Sequence, residues 1–348
     1  MRLQQVASLV IIWAVSSCTA PSDGAAASDG AAASDGAAAS DGAAPSDGAA
    51  PSDGEAGPST DAGTPATCKE ASWEPGGGDP WGGCWPGPDN TGVPAGVTLT
   101  PYTGPCRITA AGTLIDAKEV GCILSIHAPN VVITRSRITG GVDVPANAPD
   151  DASFSISDSS IHIGDNLNTG LMRRNFTANR VNITGGRRSI YCASSCTVEN
   201  SWVHAQGGDP AGAAHFSGMR MEQRTTFRHN TITCEATRVP GSGCSAGLTG
   251  YGDFAPIQDN LIERNLFYRG GGGGSTACAY GGSSGDDGSK PYGDQAMNIR
   301  FHGNRFVRGA GGTCGNLRTI IDFDSTRPGN EWVDNAYHDG VAVSPDGP

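Results

Sequence analysis

The middle of the chain carries Arg187, His204, His215, Arg220, Tyr251 and Lys290, six side chains able to hold charge or move protons. A guanidinium or ammonium neutralises a carboxylate. An imidazole, which titrates near neutrality, accepts or releases a proton, and a phenol can do either. Together they suit elimination on an acidic sugar: neutralise the carboxylate, remove the C5 proton, protonate the leaving oxygen. Arg187, Arg220 or Lys290 fits the first role, and His215 or Tyr251 the second or third. His204, eleven residues before His215, is placed at the mouth of the same loop. Arg187, Tyr191, Tyr280, Asp322 and Asp324 would line the substrate path. Asp322 and Asp324 also raise a second chemistry, since alternate strand residues lie roughly 6.5–7 Å apart and paired carboxylates hydrolyse glycosides. A third reading is a glycan-binding surface protein or adhesin that uses the same side chains without cutting.

Such residues need a scaffold, and the sequence repeats one phrase: a large apolar residue, Asn or Ser three later, an apolar residue two after that. The copies are Ile133/Ser136/Ile138, Ile156/Ser159/Ile161, Phe176/Asn179/Val181, Val198/Ser201/Val203, Phe227/Asn230/Ile232, Ile262/Asn265/Phe267, Phe301/Asn304/Phe306 and Trp332/Asn335/Tyr337. This reads as strand, tight turn, strand. The apolar residues point inward, and the Asn, tolerant of left-handed backbone, sits at the bend. Stacked turns let the amides bond to one another, and each coil buries its inner face only against its neighbours. The intervals between Asn/Ser positions are 23, 20, 22, 29, 35, 39 and 31 residues, so the later coils carry long insertions.

From Ile108 to Tyr337 the pattern resembles the right-handed parallel β-helix of pectate-lyase-like proteins, with their internal Asn ladder. The expected class is all-β, with an Asn/Ser ladder and long loops on one face. The resemblance implies that the turn after the phrase borders a first sheet whose outer face carries the substrate groove. It also implies calcium as a cofactor, although the family's acidic cluster is not recognisable. "GDDG" at Asp286 and Asp287 is the best oxygen-rich candidate, and no metal is predicted. The groove floor would be "RRSIYC", "HFSGMRM", "AGLTGY", "ACAYGG" and "RTIIDFD". Alternation turns Ile190, Cys192, Phe216, Leu248, Ile321 and Phe323 inward. It leaves Arg187, Ser189, Tyr191, His215, Ser217, Arg220, Thr249, Tyr251, Asp322 and Asp324 outside.

The ends bound the setting. Residues 1–17 read as a secretory signal, with an apolar run from Val6 to Val15. "VSSC" resembles a bacterial lipobox, which makes Cys18 the lipidation site and a membrane surface the anchor. The alternative is a secreted protein cut near Ala20. Residues 18–66 repeat Ala-Ser-Asp-Gly, lack any side chain able to build a core, and read as an acidic tether. Eight of the 35 acids lie there; from Thr67 on, 27 acids face 22 Lys and Arg, and no basic stripe points to nucleic acid. A polysaccharide is the expected partner and a monomer the expected state. The ten cysteines from Cys68 to Cys314 predict disulfides in an exported domain. Cys192/Cys196 and Cys234/Cys244 are candidate local pairs, with zinc the rival reading for "CASSC". Residues 67–107, with Trp73, Trp81 and Trp85, read as a disulfide-pinned cap on the 108–348 β-helix.

Overall fold

A computed structural model describes residues 67–209, 211–212, 214–268 and 275–345. The predicted signal, Cys18 and the tether lie outside the described residues. The described chain is all-β, and every pairing between its named strands is parallel. One sheet has ten short strands, from Thr100–Pro101 through Trp202–His204 to Ala336–Tyr337. The other has fifteen strands in two files joined by three long ones, Thr169–Asn179, Arg188–Glu199 and His215–Arg228. Those three bend where Arg173, Asn175, Ser195 and Arg224 take positive φ, so one strand contributes to both files.

Alternation fills the interior. Ile133, Ile156, Ala178, Val198, Phe227, Ile262 and Phe301 are buried in one continuous register, and Phe267 stacks on Phe306 at 4.7 Å, the spacing of adjacent strands. At the last rung Trp332 packs on Phe301, Phe306 and Phe323 and donates Nε1–H to Val343 O.

The repeated phrase is the turn between the two sheets. Asn230 N–H donates to Asn265 Oδ1, Asn265 N–H to Asn304 Oδ1, and Asn304 N–H to Asn335 Oδ1, each within 2.9–3.0 Å. The amide groups bond to one another in the same order at 2.8–3.0 Å. Ser136 N–H donates to Ser159 Oγ, and Ser201 N–H to Asn230 Oδ1. Two expectations need correction. The third copy is Ala178/Val181/Ile183, because Ala178 pairs with Ile156 and Val198, while Phe176 pairs with Phe154. Val181, which offers no side-chain acceptor, holds that turn and donates its N–H to Ser201 Oγ. The left-handed residue is the one before the Asn, Ser or Val that holds the turn: Arg135, Asp158, Arg180, Asn200, His229, Arg264 and Asp334 have φ of 46–51°. The Asn holds the turn by hydrogen bonds, and its neighbour takes the strain.

Five disulfides join Cys68–Cys84, Cys106–Cys122, Cys192–Cys196, Cys234–Cys244 and Cys278–Cys314. The "CASSC" pair is therefore a disulfide and not a zinc half-site, and the set fits an oxidising, extracellular environment. No helix of the described residues is long and apolar enough to cross a membrane.

The Trp-rich segment runs along the turn column. Trp85 is buried and stacks on His229 at 5.6 Å, Trp81 faces Arg264 and Arg305, and Asp79 accepts from His229 Nε2 at 3.0 Å. Farther along, Gly92 N–H donates to Arg180 O. The contacts are thus lateral, spread over several rungs.

Candidate functional site

The five strands expected to floor a groove are neighbours in the larger sheet, in the order Arg188–Glu199, His215–Arg228, Gly243–Thr249, Ala279–Tyr280, Ile320–Ile321. Register places Ile190, Met219, Leu248, Ala279 and Ile320 in one inward column. Tyr191, Arg220 and Thr249 form the outward column beside it, and Tyr280 pairs with Ile321.

Arg220 is the hub of this face. Its guanidinium has aromatic rings around it, 5.5 Å from the Tyr191 ring, 5.3 Å from Tyr251 and 4.9 Å from Phe254. Its Nη2 donates to Glu222 Oε1 at 3.0 Å and lies 3.7 Å from Asp253 Oδ2. The Arg220 and Glu222 side chains are only 5% and 2% exposed. A buried ion pair adds little net stability, because the cost of desolvating both charges offsets their attraction. Glu222 Oε2 accepts from Tyr191 O–H at 3.0 Å. Lys290 Nζ sits 2.6 Å from Asp253 Oδ1 and 5.8 Å from the Tyr251 ring. Arg220 Nε is buried without a partner among the described residues, a donor left open in a side chain that lines a cavity.

Burial sets the electrostatics. It pushes Glu222 upward, against the pull of Arg220 and Tyr191. It pushes Tyr191 up to about 12, with the Glu222 carboxylate adding to the effect. Burial also lowers Arg188 to about 10, helped by Arg220 and Arg187, and leaves it charged at neutral pH. Tyr251 and Tyr280 are raised by burial; Tyr251 is opposed by hydrogen bonding to Ser245 and Tyr280 and by the Arg220 charge. Both phenols are therefore neutral near pH 7 and able to donate a proton.

Two adjoining cavities open on this face, sharing His215 and Ser245. The smaller, about 230 Å³, is lined by Arg187, Arg188, Arg220, Tyr251, Asp253 and Phe254 among others. The larger, about 700 Å³, is lined by Arg238, Val239, Pro240, Tyr280, Asn316 and Leu317 among others. The Tyr251 and Tyr280 rings, one in each cavity, meet edge to face at 4.8 Å. Asp253 is the one carboxylate lining either cavity among the described residues.

Most expected site residues come together here: Arg187, whose Nε donates to His215 O at 3.0 Å, with Tyr191, exposed His215, Arg220, Tyr251, Tyr280 and Lys290. His204 does not. It lies in the ten-stranded sheet, stacked on Trp202 and 3.0 Å from Asn182 Oδ1, where burial lowers it to about 4. Asp322 and Asp324 are not successive outward residues of one strand, because the strand ends at Ile321 and Asp322 has φ 56°. Asp322 accepts from Ser284 Oγ. Asp324 accepts from Thr326 N–H and Oγ1–H and Arg327 Nε–H, which hold it below the usual carboxylate range. Asp287 is tied to Ser289, Asp286 is exposed, and no described group of acids, His or Cys could hold a metal.

Alternation failed locally in three places. Ser189 is buried and accepts from Gln206 Nε2, so Arg188 takes the outward place, its Nε donating to Ser217 Oγ at 3.0 Å. Ile320, not Ile321, points inward. Phe216 belongs to a separate cluster with Ala214, Cys234, Ala236 and Cys244 beneath the loops. Sequence reasoning also missed Glu222, which strict alternation from Arg220 would have placed on the same face. Asp253 and Phe254 follow a strand in a loop that carries no signal for its path. No protein-family model, curated protein or solved structure matches the chain.

Proposed function

We propose that the protein is a right-handed parallel β-helix of the pectate-lyase-like kind, with an Asn/Ser ladder, that binds an acidic polysaccharide and cleaves it by β-elimination. The observation that carries this reading is the charge balance of the smaller cavity. Arg187, Arg188 and Arg220 line it with one carboxylate, Asp253, which Lys290 also pairs, while Glu222 is sealed beneath Arg220 and Tyr191. The surplus positive charge suits a uronate carboxylate. His215, at the junction of the cavities, takes the C5 proton. The C5–H electrons form the C4=C5 double bond as the C4–O bond breaks. Tyr251, kept protonated by burial, gives its proton to the leaving oxygen, and the Arg220 and Lys290 charges favour the phenolate that remains.

A hydrolase reading has less support, because it needs two carboxylates at the bond and Asp253 alone lines the cavities among the described residues. Lipid anchorage through Cys18 completes the proposal, and loss of fatty-acid labelling in Cys18→Ser cells would test that part. The reading of the site is tested with one polyuronate, intact and with its carboxylates reduced to alcohols. Binding and cleavage of the intact polymer, with binding at least about tenfold weaker after reduction, is expected for a charge-assisted contact. Equal handling of both removes the proposal.

A further inference from the structure

The larger cavity has about three times the volume of its neighbour but far less charge. Arg238 is its one guanidinium, against three in the smaller cavity, and no carboxylate lines it among the described residues. Its walls include the apolar Val239, Pro240, Leu317 and Tyr280 ring beside uncharged Ser242, Ser245, Thr276 and Asn316. Leu317 is 72% exposed and Phe254, over Arg220 in the smaller cavity, is 70% exposed; they are the two most exposed large apolar side chains of the described residues. A single exposed leucine is ordinary on a protein surface; what sets Leu317 apart is its place in a cavity wall that also holds Val239, Pro240 and the Tyr280 ring.

Both walls are held in place. The Cys234–Cys244 disulfide and the cluster around Phe216 anchor one, whose tip closes through Val239 and Ser242 bonding to each other's carbonyls. The Cys278–Cys314 disulfide anchors the other, where Leu317 N–H donates to Thr276 O. Walls fixed before binding reduce the ordering cost of a ligand, and the volume lies in the usual range of about 300–1,000 Å³ for ligand pockets.

We propose that the larger cavity takes an uncharged sugar unit with an apolar face or substituent, next to the uronate in the smaller cavity. The preferred polymer is then a mixed chain of uronate and neutral units, with Leu317 as a specificity-determining residue. This inference rests on the uronate reading of the smaller cavity. In that arrangement the neutral unit is the leaving side, and the cut falls at the boundary marked by His215, Tyr251 and Tyr280.

The test compares elimination rates and affinities on a homopolyuronate and on an alternating copolymer of uronate and 6-deoxyhexose, matched in length. The wild-type protein is expected to prefer the copolymer in kcat/KM by on the order of tenfold, the discrimination one apolar contact gives. Leu317→Lys, at an exposed position that tolerates the change, is expected to shrink that ratio by improving the homopolyuronate. Equal or better handling of the homopolyuronate by the wild type, still weakened by Arg188→Ala, overturns this inference and leaves the uronate site standing. Failure of both polymers to bind overturns this inference and the uronate reading together.

Discussion

Replacing Asn265 with alanine should remove more stability than any one turn substitution near the N-terminal end of the stack. Asn265 is fully buried. Its Oδ1 accepts from Asn230 N–H at 2.9 Å and from Asn230 Nδ2–H at 3.0 Å; its Nδ2 donates to Phe227 O at 2.8 Å and to Asn304 Oδ1 at 3.0 Å. Alanine leaves two buried donors of Asn230 without that acceptor and takes a donor from Phe227 O. An orphaned buried polar group costs about 1–3 kcal/mol, so the loss is about 3–5 kcal/mol, a large part of the roughly 5–15 kcal/mol that holds a typical domain. Ser159→Ala is the comparison, since Ser159 Oγ accepts one turn N–H, that of Ser136, and its loss should cost about 1–2 kcal/mol. Equilibrium unfolding in urea, with the wild type beside both variants, measures the difference. A loss below about 1 kcal/mol for Asn265→Ala, or a larger loss for Ser159→Ala, would refute the view that bonded amides secure the turns.

Two further predictions concern regions outside the proposed site. His204 falls from an ordinary 6.5 to about 4 on folding because burial penalises its charged form. The unfolded chain therefore binds more protons there. The contribution is intact above pH 6.5 and is lost as pH falls toward 4. The full difference is about 3 kcal/mol, reduced to about 2 by the ring's partial exposure. Stability against pH should be flatter over that window in His204→Gln; an unchanged slope contradicts the assignment. Trp85→Ala should cost about 3–5 kcal/mol and open residues 68–92 to protease, because Trp85 stacks on His229 and packs against Trp73 and Trp81. Unchanged stability and protease resistance would show that the lateral segment is not held by this cluster.

The all-β class and the parallel stacking were legible because the phrase around Asn230, Asn265, Asn304 and Asn335 repeats at one internal spacing. Its third copy was misplaced by two residues, since Asn179 imitates the motif while Val181 fills the turn. The uneven intervals pointed to added loops, and one of them, "CEATRVPGSGC", walls the larger cavity where it leads into Gly243–Thr249. Individual side chains were harder to place. Period-two counting carries only while the strand is regular, and it broke where Ser189 and Ile190 are both buried and where Asp322 turns left-handed. Asp253 and Phe254 reach Arg220 from loops, and Lys290 joins them through Asp253. Only Lys290 was expected, from its charge, because the path of a loop is set by tertiary contacts that no local pattern encodes.

The central claim is elimination at the cation-lined cavity, and the ultraviolet absorbance of the reaction tests it most directly. Purified protein incubated with polyuronates should generate the conjugated C4=C5 product, so absorbance rises with chain shortening, and the rise should fall by on the order of a hundredfold in Tyr251→Phe. New reducing ends without that absorbance would make the protein a hydrolase. Retained binding with neither signal would make the face a glycan-binding surface, and in both cases the elimination account fails.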